Sequence, residues 1–418
     1  MQTIGIIAEY NPFHNGHAYQ AKQARRLTQA DTVIAVMSGH FTQRGEIAII
    51  DKWRRAETAV RSGIDLVLEL PAVFAVRSAQ YFAEGGIRLL SSLGIVDFLS
   101  FGAENDDLHC LFAAAAGMED PRTTEKLKLG LNRGKNYAAA LADALVGGGY
   151  AAQDFIISPN NILAVEYLRA LSRYAPSIRP LPVKRIGSGF HDRTLTDRFA
   201  SATAIRQELH KSDIFSPRLY TALPSATAEI IESLLKIGAA PAKLDRLETT
   251  MLAKLRGLPD RALLALPEVS EGLENRLRMA ARNSGNLPEL LDMLKTKRYP
   301  YTRLQRLLVH LLLGTQREQI QEFDATGPLY ARVLALNNQG RAALRLISRQ
   351  GNLPVITKTT SALNSRSFHA QCFSPLQSML AVDITATDLF SLCLPVPSQR
   401  KGGLDFRQSA VFLPSHEN

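Results

Sequence analysis

Two histidines near the start of the chain have the residue type and the spacing that phosphate chemistry requires. His14 and His17 enclose Gly16 in the tetrapeptide His-Asn-Gly-His. Imidazoles donate hydrogen bonds, glycine lets a ligand approach the backbone, and a helix N-terminus adds unpaired N–H groups and a positive dipole end. The stretch therefore predicts a phosphate-binding site to which both histidines can donate hydrogen bonds. The alternative is that His14 is a packed loop residue and His17 a solvated helix residue.

The elements that must position these histidines follow from the apolar pattern. Residues 4–8 form a continuous apolar run, which predicts a strand buried on both faces. Pro12 must break the strand, because proline has no ladder N–H and restricts the residue before it. After this turn we expect Asn15 to cap a helix whose apolar residues recur at helical spacing, namely Ala18, Ala21 and Ala24.

Strands and helices continue to alternate after this first unit. Apolar runs at 32–37, 65–70 and 96–101 predict strands, and 52–62 and 81–91 predict helices. The alternation predicts an α/β fold with a Rossmann-like parallel sheet, whose ligands bind at the carboxyl ends of the strands.

Two loops that follow these strands should face the same crevice as the histidines. They are residues 38–45, which include Arg44, and the turn Gly102-Ala103-Glu104. Arg44 contacts phosphate or is a solvated loop arginine, and the sequence favours neither reading.

A second phosphate-binding pattern comes later in the chain. The hydroxyls of Ser201 and Thr203 stand at the start of a predicted helix, and Arg206 follows one turn in. Together they would clamp a phosphate, although serine and threonine alone would only cap the helix. Upstream, a strand end with two cations, Lys184 and Arg185, leads into a glycine-rich loop at 187–192.

Two adjacent asparagines follow Pro159 at the start of another predicted helix. One of Asn160 and Asn161 would cap that helix. The second could contact a base or a ribose, or it could be a turn residue.

The most basic window of the chain lies among leucine- and alanine-rich helices after Arg206. Residues 295–306 interleave two tyrosines with cations that suit looped or single-stranded RNA, and we predict RNA contacts from Lys297, Arg298, Arg303 and Arg306. The alternative is a solvated basic face. Arg341 and Arg345 would extend the patch.

Composition restricts the classes of protein. The chain has 418 residues, 46% of them hydrophobic and 21% charged, which favours two globular domains, and its net charge of +10 points to an anionic partner. Three dispersed cysteines argue against a disulfide framework or a cysteine zinc site, and we predict no protein metal site. Because the first strand follows Met1 almost at once and no long apolar run occurs, we expect a cytoplasmic protein without membrane contact.

Several motifs together carry a resemblance to a known family. The two phosphate-binding patterns resemble the signatures of the nucleotidyltransferase superfamily. That resemblance implies that His14 and His17 are catalytic and stabilise charge on the triphosphate as the α-phosphorus is attacked and pyrophosphate leaves. The whole set resembles the bacterial tRNA(Met) cytidine acetate ligase family, over nearly the full chain: Glu9 to His17, Met37-Ser38-Gly39, Gln43 to Glu46, Leu68-Glu69-Leu70-Pro71, Phe101 to Glu104, Ser158 to Leu163, Gly189-Phe190-His191-Asp192, Ser201 to Arg206, Lys297-Arg298-Tyr299 and Ala386-Thr387-Asp388-Leu389. One departure is Ala202, which stands where the superfamily motif has a second serine.

The resemblance implies a substrate set and a nucleotide site. Such enzymes use ATP, with Mg²⁺, and acetate to make acetyl-adenylate, and then acetylate N4 of the wobble cytidine of elongator tRNA(Met); no protein partner is implied. Residues implied to bind ATP are Ile7, Ala8, Glu9, Tyr10, Asn11, Pro12, Phe13, His14, Asn15, Gly16, His17, Ala18, Tyr19, Gln20, Gly102, Asn160 and Arg185.

The resemblance also implies a division of labour along the chain. We expect a nucleotidyltransferase domain at 1–215 and a mainly helical tRNA-binding domain at 216–418. Two other functions stay open, a small-molecule adenylyl- or cytidylyltransferase and a noncatalytic RNA-binding protein on the same fold. The basic helical half argues against the first, and intact His14, His17 and Arg206 argue against the second.

Overall fold

The structure is a computed structural model that describes residues 1–135, 137–152, 158–186, 198–212, 214–270 and 272–414. The glycine-rich loop predicted at 187–192, with its Gly189-Phe190-His191-Asp192 motif, lies outside the described residues. Among the described residues, no helix is both long and apolar enough to cross a membrane.

The strands of the described residues join into one sheet. Their bounds are β1 Thr3–Ala8, β2 Thr32–Ser38, β3 Leu66–Leu70, β4 Phe98–Ala103, β5 Arg179–Lys184, β6 Ala331–Leu336, β7 Val355–Ile356 and β8 Val411–Phe412. The order across the sheet is β5-β4-β1-β2-β3-β6-β7, with β8 also paired to β6. The first five strands run parallel, and β6 is antiparallel to β3.

Helices connect and cover these strands. Up to the second phosphate pattern they are α1 Asn15–Thr28, α2 Lys52–Arg61, α3 Ala72–Ala75, α4 Ala79–Ser92, α5 Leu108–Glu119, α6 Pro121–Asn132, α7 Tyr137–Val146, α8 Pro159–Tyr174 and α9 Ala202–Lys211. Beyond it they are α10 Pro217–Ala222, α11 Ser225–Lys236, α12 Glu248–Gly257, α13 Asp260–Ala265, α14 Leu273–Asn283, α15 Leu287–Leu294, α16 Tyr301–Leu313, α17 Arg317–Thr326, α18 Asn338–Gln350, α19 Ser365–Ala370, α20 Pro375–Leu392 and α21 Leu404–Arg407.

The central strands are buried on both faces, as their unbroken apolar runs predict. In β2, Val33, Ala35 and Met37 pack in one hydrophobic cluster, whereas Ile34 and Val36 pack in another on the opposite face. Successive side chains of a strand point to opposite faces, so both clusters need apolar residues from the same run. The predicted α/β fold class is confirmed.

The order of the parallel strands locates a crevice. Because β1 lies between β2 and β4, the chain reverses its direction of winding between β1 and β4. Ligands of such sheets bind outside the carboxyl ends of the strands at this switch point. His14 follows β1 and Gly102 lies at the end of β4, so the sheet order itself brings these two segments together.

Strand β6 was not predicted from the sequence, and it changes the expected organisation. All six of its residues are buried, and it pairs with β3 although it comes long after residue 215. The C-terminal part is mainly helical, as expected, but it also contributes this buried strand to the sheet. Periodicity did not reveal the strand, because a short apolar run fits a buried strand and a buried helix segment equally well. The division at residue 215 stays a prediction, but the sheet crosses it.

A buried charge network joins the C-terminal segment to the sheet. Lys52 Nζ lies 2.8 Å and 2.9 Å from the carboxylate oxygens of Glu69, and an Arg332 nitrogen lies 3.1 Å from Glu69. Arg332 also bonds to Asp405. All four side chains are at most 3% exposed. Because isolated buried charges are costly, each member depends on the others, and residues near the end of the chain complete the core.

Candidate active site

The backbone holds both histidines in the same chemical form. Nδ1 of His14 accepts a hydrogen bond from Gly16 N at 3.0 Å, and Nδ1 of His17 accepts one from His14 N at 3.2 Å. A neutral imidazole with an accepting Nδ1 carries its proton on Nε2. Neither Nε2 has a hydrogen-bond partner among the described residues. Each ring therefore presents an N–H donor on the side away from the backbone.

His14, not Asn15, caps helix α1. The extended backbone and accepting side chain of His14 make it the N-cap, and Asn15 is the first helical residue. The Asn15 side chain instead donates to the carbonyls of Arg198 and Thr221, at 2.9 Å and 2.8 Å. The prediction of an Asn15 cap was therefore wrong. An imidazole can fill the position because its Nδ1 reaches the same N–H group that an asparagine oxygen would.

The surroundings of the two rings keep them neutral. Burial lowers the pKa of His14 to about 3, with further lowering from the charges of Arg185 and Arg206. Burial and the neighbouring His14 also lower the pKa of His17 well below its usual value. The rings stack with centroids 3.7 Å apart, an arrangement that two positive charges would oppose. At neutral pH the pair supplies hydrogen-bond donors without net charge.

A pocket lies over the crevice and collects many of the predicted residues. It is lined by His14, Gly16, His17, Tyr19, Gln20, Gly102, Arg185 and Ser201. Gln20 Nε2 donates to Ser100 O in β4 at 3.2 Å, which ties helix α1 across the switch point. The two segments that the sequence predicted to meet, one after β1 and one at the end of β4, share this pocket.

One carboxylate, Glu104, gathers the predicted contacts at the other side of the pocket. Asn160 Nδ2 donates to Glu104 Oε1 at 2.5 Å, Ser158 donates to the other oxygen, and Arg185 Nε lies 3.7 Å from Oε1. The sequence reading named Asn160 and Arg185 but gave no role to Glu104. Glu104 belongs to a turn and a motif that the sequence singled out, but its role was not predicted, because its partners lie far along the chain and meet only in the folded protein.

The cap of helix α8 also differs from the prediction. Ser158 is the N-cap, and its hydroxyl accepts from Asn161 N. Asn161 is buried, and its side-chain oxygen accepts from the backbone N–H groups of Glu104 and Asn105 at 3.2 Å and 3.3 Å. The expectation that an asparagine caps this helix was therefore wrong. Serine is an equally good cap, and it lies one residue before the proline that opens the helix.

The residues of the second phosphate-binding pattern lie in two different places. Ser201 caps α9 and lines the pocket. Arg206 turns toward the chain before His14, where it donates to Asn11 O at 3.0 Å, and it lies 3.0 Å from a Glu46 oxygen. Thr203 accepts from the same guanidinium at 3.4 Å. Arg206 is thus beside the histidine segment, and its charge contributes to the lowered pKa of His14.

Several side chains of the implied ATP segment are structural. Tyr10 and Phe13 are buried and pack edge-on or tilted against His17, with centroids 4.9 Å and 5.5 Å away. Asn11 is buried and accepts from Ile49 N at 2.9 Å. The remaining members, Ile7, Ala8, Pro12 and Ala18, pack in the core or beside it. Contact of these residues with ATP stays a prediction.

The loop after β2 lies next to this segment, as expected. Glu9 Oε1 accepts from Gln43 N at 2.8 Å. Burial raises the pKa of Glu9, although the bond from Gln43 and the charges of Arg206 and Arg44 oppose the rise. Arg44 thus lies near this carboxylate. Its two predicted roles, a phosphate contact and a solvated loop arginine, stay predictions.

Arg55 is a further residue that the sequence reading missed. It is fully buried in α2 and donates to Glu9 O at 2.6 Å, to Ser38 O at 3.0 Å and to Gly39 O. It therefore ties together the ends of β1 and β2, just before both loops. One signal existed, because Arg55 lies three and four residues from the buried positions Lys52 and Ala59 and so shares their face.

The basic window divides into structural and exposed residues. Arg306 is buried and lies 2.9 Å from Glu268, and Arg303 donates to Glu268 O and Ser270 at 2.8 Å and 2.7 Å. A packing role therefore explains both arginines without RNA. Lys297 and Arg298 are exposed. RNA contact stays a prediction for all four residues, and the structure favours it only for these last two.

The geometry suits charge stabilisation on a triphosphate. Two neutral imidazole N–H donors and the Arg185 guanidinium line one pocket at the switch point of a parallel sheet. Among the described residues, no three histidine, cysteine, aspartate or glutamate side chains are grouped so that they could hold a metal ion.

Comparisons with known proteins agree with this site. Residues 1–405 match the HIGH Nucleotidyl Transferase family. The tRNA(Met) cytidine acetate ligase of Thermoanaerobacter sp. strain X514 is 40% identical over 99% of this chain and its own full length. That of Halothermothrix orenii is 37% identical over 97% of this chain and 98% of its own.

Solved structures give the same result. Apo Thermotoga maritima TmcAL has a TM-score of 0.90 at 32% identity, and the form bound with alpha-thio ATP has 0.88 at 31%. Both alignments cover 99% of this chain and all of the other. The resemblance noted from the sequence is confirmed. The chain belongs to the HIGH nucleotidyl transferases and, among them, to the tRNA(Met) cytidine acetate ligase family.

Proposed function

We propose that this protein activates acetate with ATP and transfers the acetyl group to N4 of the wobble cytidine of elongator tRNA(Met). The observation that carries the proposal is the pair of neutral imidazoles, His14 and His17, in a pocket that Arg185 also lines. Their Nε2–H groups have no acceptor within the described part of the chain, so they can donate to a ligand. A tRNA substrate places the reaction in the cytoplasm.

In the first step an acetate oxygen attacks the α-phosphorus of ATP and pyrophosphate leaves. The enzyme needs no nucleophile of its own, because acetate supplies the attacking atom. The two Nε2–H donors stabilise the charge that grows on the departing phosphates, and Arg185 binds a phosphate by charge-assisted hydrogen bonds. Magnesium arrives with ATP, held mainly by the phosphates as is usual for this ion.

In the second step the exocyclic amine of cytidine attacks the acetyl carbonyl of the mixed anhydride, and AMP leaves. The amine is a weak nucleophile, so holding the splayed-out base beside the anhydride is most of the task. The exposed cations Lys297 and Arg298 support a role for the C-terminal half in holding the tRNA.

Pyrophosphate exchange into ATP tests this function against its alternatives. We expect exchange only when acetate is present. Exchange that requires a phosphorylated metabolite would mean a small-molecule nucleotidyltransferase, and no exchange at all would mean a noncatalytic RNA-binding protein. Nucleoside analysis of tRNA incubated with ATP, acetate and the protein should then show N4-acetylcytidine.

A further inference from the structure

A tight turn after β2 separates the nucleotide pocket from the basic window. Phe41 and Ile47 pair across it, and Thr42 N donates to Glu46 O at 2.9 Å. Gly45 N donates back to Thr42 O at 3.0 Å. These bonds fix the backbone of the turn, so the side chain of Glu46 leaves it in a defined direction.

One side of this turn packs against helix α16, which begins within the basic window. Gly45 has a φ of 75°, and a Cβ on it would lie 2.5 Å from the backbone nitrogen of Arg306. Lys297 and Arg298 immediately precede helix α16, to which Arg306 belongs. The turn therefore packs against the helix whose N-terminus follows these cations.

The other side of the turn contacts the histidine segment. Gln43 N donates to Glu9 Oε1 at 2.8 Å, and Asn11 Nδ2 donates to Ile47 O at 3.4 Å. A Glu46 oxygen lies 3.0 Å from Arg206, whose second nitrogen donates to Asn11 O three residues before His14. The Glu46 side chain is 34% exposed, and its other oxygen has no hydrogen-bond partner among the described residues. Among the described residues, this carboxylate oxygen is thus unpaired, next to the Arg206 guanidinium that bonds to the histidine segment.

We propose that the Glu46 carboxylate accepts a hydrogen bond from the N4 amine of the target cytosine. It then takes the proton that this amine loses during acetyl transfer. The inference rests on the proposed function. A carboxylate is the side chain that pairs with the N4–H₂ group of cytosine, whereas uracil presents an oxygen at that position. Arg206 binds one oxygen of Glu46, and within the described part of the chain the other oxygen has no hydrogen-bond partner.

The step balances without any further reactant. The N4 lone pair forms a bond to the acetyl carbonyl carbon, and the bond from that carbon to the phosphate oxygen breaks. AMP leaves with that electron pair. One proton passes from N4 to the Glu46 carboxylate and then to water.

The test separates the two steps in the full-length protein. Glu46→Gln keeps the size of the side chain and an oxygen for Arg206, so acetate-dependent pyrophosphate exchange should stay within about twofold of the parent. Single-turnover acetyl transfer to the elongator tRNA should fall by roughly a hundredfold or more, as expected for loss of a general base. Preference for wobble cytidine over uridine in tRNA binding should also decrease.

Two further variants make the outcome decisive. Glu46→Asp keeps the carboxylate but shortens its reach, and we expect an intermediate transfer rate. Glu125→Gln, at an exposed position on α6, should match the parent in every assay. Transfer at the parent rate in Glu46→Gln would overturn the proposal, and so would an equal loss of exchange and transfer, since Glu46 would then serve only to hold Arg206. Exchange that ignores acetate in the parent would instead refute the proposed function.

Discussion

The backbone of Gly45 lies directly against the backbone of Arg306. The contact leaves no space for a Cβ, since one would lie 2.5 Å from Arg306 N. The loop after β2 and helix α16 are thus packed together, although the predicted nucleotide site and the predicted RNA site belong to separate parts of the chain. Variants that test RNA binding must therefore spare the face of α16 that supports this loop.

The exposed cations before α16 are the residues to replace. Removing both charges in Lys297→Ala with Arg298→Ala should weaken tRNA binding and reduce the slope of log Kd against log salt by up to roughly two, because fewer counterions are released. Acetate-dependent exchange should persist. Titration of tRNA at several salt concentrations measures the slope.

Arg306 should behave differently from these two cations. Arg306→Ala leaves Glu268 without its 2.9 Å partner, and we expect a loss of roughly 1–3 kcal/mol in the free energy of unfolding.

For the double variant of Lys297 and Arg298, the exposed pair Arg349 and Lys358 gives a matched control for removal of two charges. If the double variant of Lys297 and Arg298 binds tRNA with unchanged affinity and unchanged salt dependence, the basic window is only a solvated surface.

Asparagine substitution separates the chemistry of the histidines from their capping role. His14→Asn and His17→Asn each keep an acceptor near the Nδ1 position but remove the Nε2–H donor. We expect folded proteins whose acetate-dependent exchange is slower by up to roughly a hundredfold or more for each donor. Lys22→Ala, at an exposed position of α1, should keep the parent rate. Parent-like exchange in a folded double variant would contradict a role in pyrophosphate departure.

Glu104 should control ATP affinity through the residues that it holds. Glu104→Ala releases Asn160 and Arg185 together, and we expect the KM for ATP to rise about tenfold with little change in kcat, equivalent to ~1.4 kcal/mol. Arg185→Lys should also raise the KM for ATP. In the double variant, the total change in binding free energy should be smaller than the sum of the two single changes, because the residues share one contact.

A neighbouring carboxylate provides the control for Glu104. Asp106 is exposed in the same loop, and Asp106→Asn should leave the KM for ATP unchanged. If Glu104→Ala binds ATP as the parent does, the cluster around Glu104 does not position the nucleotide contacts.

The buried histidines should make stability depend on pH. The pKa of His14 is lowered to about 3 in the folded protein, whereas the unfolded chain takes up a proton near pH 6.5. Stability should therefore be lost as pH falls from about 6.5 toward 3, by about 1.4 kcal/mol per pH unit for each such histidine. The parent loses this His14 contribution on acidification, whereas His14→Asn has none to lose. The difference between their free energies of unfolding should therefore shrink by about 1.4 kcal/mol for each pH unit below about 6.5. Urea unfolding between pH 5 and 8 measures both slopes, and equal slopes would refute the burial of His14.

The sequence by itself determined the local elements and where the candidate catalytic segment lies among them. Continuous apolar runs that alternate with helical segments indicated β1 to β4, because strands buried on both faces are apolar throughout. The position of His14 and His17 between a strand and a helix followed from the same periodicity. These inferences succeeded since each depends on residues within one short window.

The tertiary structure alone decided which distant residues meet. Glu104 gathers Ser158, Asn160 and Arg185, and Arg55 binds carbonyls at the ends of two strands, through contacts between residues far apart in the chain. Periodicity carries no information about such partners. It also could not distinguish Arg306, which pairs with half-buried Glu268, from the exposed Lys297, because a cation serves either purpose and only the packing around it decides between them.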